Sequence, residues 1–506
     1  MSGETLILLA LGLPLLIAVG IALFGKLPDL REGVTILGAV ALFVVVILLF
    51  SQVSEGQRPE LELWEVIGGL SFAFKLEPIG ALFACIASGL WIVNSFYSIG
   101  YMRGNRERNQ TRFYICFAIA IFGAMGVAMA DNLLTLFVFY EVLTLSTYPL
   151  VAHKGDAAAE RGGRIYLLTL LGTSIGFLLP AIIGTFVIAG GSLDFVAGGL
   201  LGGNPAATPL VSSVLLVLFA FGIGKAALMP FHLWLPNAMV APTPVSALLH
   251  AVAVVKAGVF TVLKVGVYIF GEDLLNLTPS RDFILAVACF TIIAASLVAM
   301  TKDNLKARLA YSTIAQLSYC TVGVMLANPA GFEGSALQIA AHAAGKITLF
   351  MCAGAIYVAT GLTNISDMRG LGRRMPLVFI AFLIGALSII GMPPLAGDFM
   401  KYELLKGAVE AEIKYVPYVL MVSALLNVAY LLPIPILALM PPPGSAEPAP
   451  YKRADGAPVF TVAAPLVTAS LCFALFFLMG PLKTFLSPAV SPGSAVSATL
   501  VPGAAP

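Results

Sequence analysis

The sequence is short of charge. Lys, Arg, Asp and Glu make up 11% of its 506 residues, against about 25% in an ordinary soluble domain. A water-exposed globular surface is therefore excluded for most of the chain. Ligating side chains are scarce too. The six cysteines (Cys85, Cys116, Cys289, Cys320, Cys352 and Cys472) all lie in apolar runs, and none forms a C-x-x-C pair. That excludes iron–sulfur and zinc spacings. The four histidines, His153, His232, His250 and His342, include no H-x-x-x-H, so no helical metal pair is encoded. No G-x-x-x-x-G-K-[ST] loop is present, nor a convincing G-x-G-x-x-G after a strand, so the usual phosphate-cradling loops are missing. No cofactor, no metal and no nucleic-acid partner are expected.

What is abundant is hydrocarbon. Hydrophobic residues make up 59% of the chain, and the mean hydropathy is +0.97. An all-α polytopic membrane protein follows, with the lipid bilayer as its solvent. About 14 spans are expected, at 5–24, 33–51, 79–101, 113–130, 132–152, 165–189, 210–230, 244–270, 283–300, 307–327, 335–360, 376–392, 416–440 and 459–480. The first run, from Thr5 to Phe24, lacks a basic leader and an A-x-A site, so it reads as a retained span. Loop charge then sets orientation. The odd-numbered loops hold 17 of the 28 Lys and Arg residues, while the second loop carries Glu55, Glu60, Glu62, Glu65 and Glu77. The positive-inside rule puts the odd loops in the cytoplasm and both termini on the outer side of the cell inner (plasma) membrane. The Pro-rich loop at 441–458 reads as extended, and the Ser/Ala/Pro/Gly tail after Pro488 as mobile.

Two spans run into Met-Pro, at Met229-Pro230 and Met392-Pro393, each followed by a polar extension, at 231–240 and 393–412. Proline removes a backbone donor in mid-span, so both helices should be broken or kinked. Paired, proline-interrupted segments in two halves point to an inverted-repeat transporter. The division expected is 1–112 for three N-terminal helices, 113–270 and 283–440 for the two repeats, and 441–506 for a loop, last helix and tail.

The few charges inside the spans form a series. Glu141 lies about mid-depth in LFVFYEVLTLSTYPL, and Lys225 precedes the first break. His250, Lys256 and Lys264 share the next span. His342 and Lys346, in HAAGK, stand one turn apart on one helical face. Lys401 follows the second break. A charge at the bilayer centre costs about 2.5–3.5 kcal/mol on insertion scales, so such residues are rarely kept without a use. Ammonium groups in apolar surroundings release their protons readily, and a nearby carboxylate opposes this. A row of such groups with water between them can pass a proton stepwise. Lys264 sits nearer a span end, where it could snorkel. A static Glu141–Lys225 pair and satisfied core histidines are the structural alternatives.

These stretches resemble a known family. The Glu of FVFYEVLTL, the block KAALMPFHLWLPNAMVAPTPVSALLHAVAVVKAGVF, LKARLAYSTIAQLSY, HAAGKITLF and MPPLAGDFMKYELL are similar to the antiporter-like subunits of Mrp-type cation/proton antiporters and the complex I membrane arm. The resemblance runs from about Phe74 to Leu432, and Lys346, Lys401 and Gln316 favour the D-type Mrp subunit. It implies two inverted five-helix repeats, each with a broken helix. It implies Glu141 and Lys225 as the pair gating a first half-channel, and Lys256 with His250 as a central relay. It implies His342 and Lys346 as the continuing axis and Lys401 as an exit residue. Asp398 departs from the family pattern and could pair with Lys401, which makes it a modulator, with Lys264 as a second.

The leading function is therefore a proton-translocating subunit of a multi-subunit monovalent cation (Na+)/H+ antiporter, partnered by other membrane subunits. The chief alternative is a proton-pumping subunit of a complex I-like quinone oxidoreductase or membrane-bound hydrogenase. A relative coupled to inorganic-carbon uptake and a purely structural scaffold complete the set. In none of these is the chain itself an enzyme.

Overall fold

A computed structural model describes residues 1–68, 70–442, 451–452 and 456–490. Most of the loop expected to be extended at 441–458, and nearly all of the tail expected to be mobile, lie outside the described residues. Among the described residues the regular structure is helical apart from one hairpin and three isolated bridges. The longer helices are α1 (Gly3–Leu23), α2 (Pro28–Ser54), α3 (Pro78–Gly104), α4 (Gln110–Met129), α5 (Leu133–Val151) and α6 (Ala157–Ile188). After them come α7 (Pro209–Gly222), α8 (Thr243–Leu277), α9 (Ser280–Thr301), α10 (Leu305–Met325) and α11 (Pro329–Thr360). The series ends with α12 (Pro376–Ile390), α13 (Ala396–Glu410), α14 (Tyr415–Leu439) and α15 (Val459–Val490). Eleven of them are long and apolar enough to cross a membrane, by length and composition. The other three expected spans correspond to α7 and α12, which are shorter, and to α10, which is more polar.

Local chemistry sets the helix ends. Asn132, Asp156, Asn304 and Asn328 each accept the backbone N–H three residues on, capping α5, α6, α10 and α11. Proline stands in the first turn of α2, α3, α7, α11 and α12, where its missing donor costs nothing. Between α2 and α3 the chain forms an antiparallel hairpin, β1 (Glu60–Ile67) with β2 (Leu70–Lys75). The alternation of acid and apolar residues in ELELWEVI is the strand pattern.

The broken helices are real, but the first break is earlier than Pro230. α7 stops at Gly222, a single turn covers Gly224–Ala226, and helix returns only at Trp234–Asn237. Glycine, not proline, places this break. A side chain at Gly222 would lie 2.4 Å from the Leu178 backbone nitrogen, and one at Gly224 would lie 2.2 Å from Thr173 Oγ1. The unwound strand therefore runs tight against α6. In the second half α12 ends at Ile390, Gly391 takes φ +86°, and α13 begins at Ala396 after Met392-Pro393-Pro394.

Two helices form the centre. The most apolar stretches of α8 and α11 are 100% buried, against 28% for α2. In lipid nothing pulls apolar helices together by hydrophobicity, so their packing rests on close fit and polar contact. The two innermost helices are the ones that carry His250, Lys256, Lys264, His342 and Lys346.

Candidate proton-transfer axis

Lys225 is fully buried in the break after α7. Its Nζ donates to the Tyr140 carbonyl at 2.8 Å and to Thr144 Oγ1 at 2.6 Å, and it lies 3.1 Å from the centre of the Tyr140 ring. The Lys225 backbone N–H donates to the Tyr140 hydroxyl at 3.1 Å. One residue on α5 thus grips both ends of the lysine. Glu141, next to it, does not complete the grip. Both of its carboxylate oxygens are buried without a hydrogen-bond partner.

α8 passes close behind this turn. A side chain at Gly258 would come within 2.4 Å of the Lys225 and Ala226 backbone, so only glycine lets α8 approach. Just before it on α8 stands Lys256, fully buried, whose Nζ lies 2.7 Å from Nδ1 of His342 on α11. His342 Nε2 is buried and unpartnered, as are both ring nitrogens of His250. His250 lies in a π-helical segment of α8 and packs on Phe350, with ring centres 4.4 Å apart. Such bulges often mark functional positions in helices. Lys346, one turn before Phe350, donates to Ser312 on α10, and Ser312 lies 2.9 Å from the Tyr430 hydroxyl. Tyr430 in turn bonds Asn427. Gln338 donates to Gln316 at 3.0 Å beside this line.

Lys401 on α13 reaches back over the second break. Its Nζ donates to the carbonyls of Ile389 and Ile390, the last residues of α12, and lies 5.7 Å from the Tyr319 ring centre. Those terminal carbonyls have no partner within their own helix and carry the negative end of its dipole. The amine is hydrogen-bonded to these carbonyls, and Asp398, three residues earlier on α13, acts on it only through space. Lys264 does not snorkel. It is fully buried, paired with Glu77 at 2.8 Å, and its amine lies 4.1 Å from the Phe195 ring centre.

The fold therefore brings Lys256, His342, His250 and Lys346 together on α8 and α11. It sets Lys225 and Lys401 at the two breaks and leaves Glu141 beside Lys225 without a bond to it. Sequence reasoning does not single out Tyr140, Thr144, Ser312, Tyr430 or Glu77 as partners of these amines. It also misses a cluster in which Lys483 of α15 donates to Glu403 at 2.6 Å and lies 3.2 Å from Glu333. Adjacency to Glu141 is the one available signal for Tyr140. The others are ordinary polar residues whose contacts cross helices distant in sequence. No group of three or more His, Cys, Asp or Glu side chains among the described residues could hold a metal ion.

Comparison with known proteins gives four consistent findings. Residues 130–427 match the family model described as NADH:quinone oxidoreductase/Mrp antiporter, transmembrane. The N-type subunit of the NADH-quinone oxidoreductase of Desulforudis audaxviator is 32% identical over 354 residues, which is 68% of this chain and 70% of the relative. A probable K+/H+ antiporter protein of Rhizobium meliloti, of the A/B type, is 30% identical over 404 residues, 78% of this chain but 39% of that longer relative. Among solved structures, a chain of the Mrp complex from a Dietzia species superimposes with a TM-score of 0.80 at 21% identity. That match covers 97% of this chain and all of the other.

Proposed function

Because this chain belongs to the NADH:quinone oxidoreductase/Mrp antiporter family, we propose that it moves protons along Glu141, Lys225, His250, Lys256, His342, Lys346 and Lys401. We propose further that it does so within a multi-subunit monovalent cation/proton antiporter in the plasma membrane, with both termini outside. The observation that carries the reading is the Lys256–His342 contact at 2.7 Å, made between the two helices most removed from lipid. An amine and an imidazole at hydrogen-bond distance are two bases able to share a proton. The unpartnered nitrogens of His250 and the oxygens of Glu141 support it as well. A buried polar group left unpaired costs about 1–3 kcal/mol, so their retention fits groups that must be free to exchange. Sodium is the cation proposed, and other membrane subunits are the proposed partners.

The test is proton uptake by inverted vesicles from cells that carry the chain with its neighbouring subunits, driven by an imposed Na+ or K+ gradient. Loss of cation-driven uptake on deletion of the chain is the expected result. Full retention would sink the proposal. A second reading is favoured by the Desulforudis audaxviator relative, which belongs to a quinone oxidoreductase. On that reading the same row of residues pumps protons in a respiratory complex. Uptake that ignores the cation gradient but follows quinone reduction would select it.

A further inference from the structure

A cavity of about 1130 Å³ lies outside the charge row, walled by α2, α3, α11 and α15. At its inner end are Ala340, Ala343 and Ala344; at the hairpin end are Ser54 and Arg58. Almost every other lining group is apolar. Arg58 is half-buried, and its guanidinium donates to the Val53 and Gln57 carbonyls at 3.2 and 2.7 Å, which fixes it at the rim. We propose that this groove holds the two acyl chains of one phospholipid, with its phosphate on Arg58.

Size and charge decide between occupants. The lining runs from Pro78 to Val93 along α3, about 22 Å at 1.5 Å per residue. The groove is open along one side, so a neighbouring helix about 10 Å across could lay one face against it but would leave the Arg58 guanidinium at its rim without an anionic partner. The groove is long, narrow and apolar with one cation at its rim, the shape and charge that suit acyl chains below a phosphate headgroup. Its length exceeds one leaflet of about 15 Å, as suits chains running inward from a headgroup at the hairpin-side surface. Arginine is the side chain best matched to phosphate. The inner end also has a consequence for the axis. Ala340, Ala343 and Ala344 are small and sit on the back of α11, whose other face carries His342 and Lys346. Acyl chains there would close the one side on which α11 presents only methyl groups.

The inference does not depend on transport, and its test does not measure transport. The chain is extracted in its native assembly with mild detergent, washed, and weighed intact by native mass spectrometry. Wild type is expected to retain one phospholipid per chain. Ala474→Trp, which fills the groove from α15, is expected to abolish retention, and Arg58→Gln to reduce it several-fold. Leu425→Trp, at a position 70% exposed on another face, should leave it unchanged. As a check on folding, alkylation of Cys85, a free thiol lining the groove, should quicken several-fold when wild type is stripped of lipid. It should stay slow in Ala474→Trp. A folded wild type with no retained phospholipid, a retained quinone in its place, or equal retention in Ala474→Trp would overturn the proposal.

Discussion

Replacing Lys256 by Met keeps the length of the side chain and removes its donor. His342 then loses its only hydrogen-bond partner among the described residues, since Nε2 already has none. One buried hydrogen bond lost with its partner stranded costs about 1–3 kcal/mol. A folded protein has about 5–15 kcal/mol to lose, so the variant should still assemble. Transport should suffer far more. Removing a positioned proton-transfer group typically costs 10²- to 10⁴-fold in rate, and 100-fold corresponds to about 2.7 kcal/mol of barrier. The assay is the initial rate of proton uptake in inverted vesicles, normalised to the amount of the chain on an immunoblot. Lys256→Met should lie at least 100-fold below wild type at comparable abundance. The pair also predicts non-additivity. His342→Gln alone should be slow, and adding Lys256→Met should slow it little further, as for groups acting as one unit. A Lys256→Met variant at normal abundance retaining half the wild-type rate would refute the relay.

Three further outcomes follow from the geometry. Glu141→Gln should leave thermal stability within about 1 kcal/mol of wild type, because its oxygens have no partner to lose, while abolishing uptake. A static Glu141–Lys225 pair predicts instead about 3–5 kcal/mol of destabilisation, seen as a lower Tm in detergent. Lys483→Met should strand two buried carboxylates, Glu333 and Glu403. It should cost about 3–5 kcal/mol and expose α15 to limited proteolysis, with Glu403→Gln restoring part of the loss. Burial, with Arg112 adding to it, lowers the His153 imidazole in the loop after α5 to about 4. The unfolded value is about 6.5, so the stabilisation is complete above that pH and fades as pH falls toward 4. Tm plotted against pH over this window should be flatter in His153→Gln than in wild type.

The spans are legible because hydrocarbon demands long apolar runs, and no soluble alternative produces them. The breaks are legible as a pair, since Met-Pro recurs. Their positions are not. Proline announces where a donor is missing, whereas the first helix actually stops where Gly222 and Gly224 press against α6. Only the neighbouring helix reveals that contact. The charge row can be picked out because each member is costly in lipid. The partners cannot, because Thr144, Ser312 and Tyr430 look like any other polar residue until the helices are assembled. The hairpin is obscured for another reason. The acidity of ELELWEVI suggests a loop, although its alternation already spells a strand. Distance along its span misplaces Lys264, since its partner Glu77 enters from the start of α3.

The two break lysines share a mode of binding that bears on how protons move. Lys225 rests on the carbonyl of Tyr140, and Lys401 on those of Ile389 and Ile390. A carbonyl oxygen accepts a hydrogen bond but does not take the proton. On the proposed function an amine held only by carbonyls, as Lys401 is, stores charge rather than passing it on, and Lys225 has the Thr144 hydroxyl besides. Lys256 differs, because a histidine nitrogen opposite it can accept. Stepwise transfer then requires Lys225 to leave the carbonyl for another acceptor, and the buried carboxylate of Glu141, free of hydrogen bonds, is the nearest acid in sequence to that clasp. On the proposed function, the ion pair expected from sequence is a destination of the lysine, whose resting contact is with Tyr140. The two breaks serve this differently: the end of α12 supplies the oxygens that hold Lys401, whereas the first break carries Lys225 itself to oxygens of the unbroken helix α5.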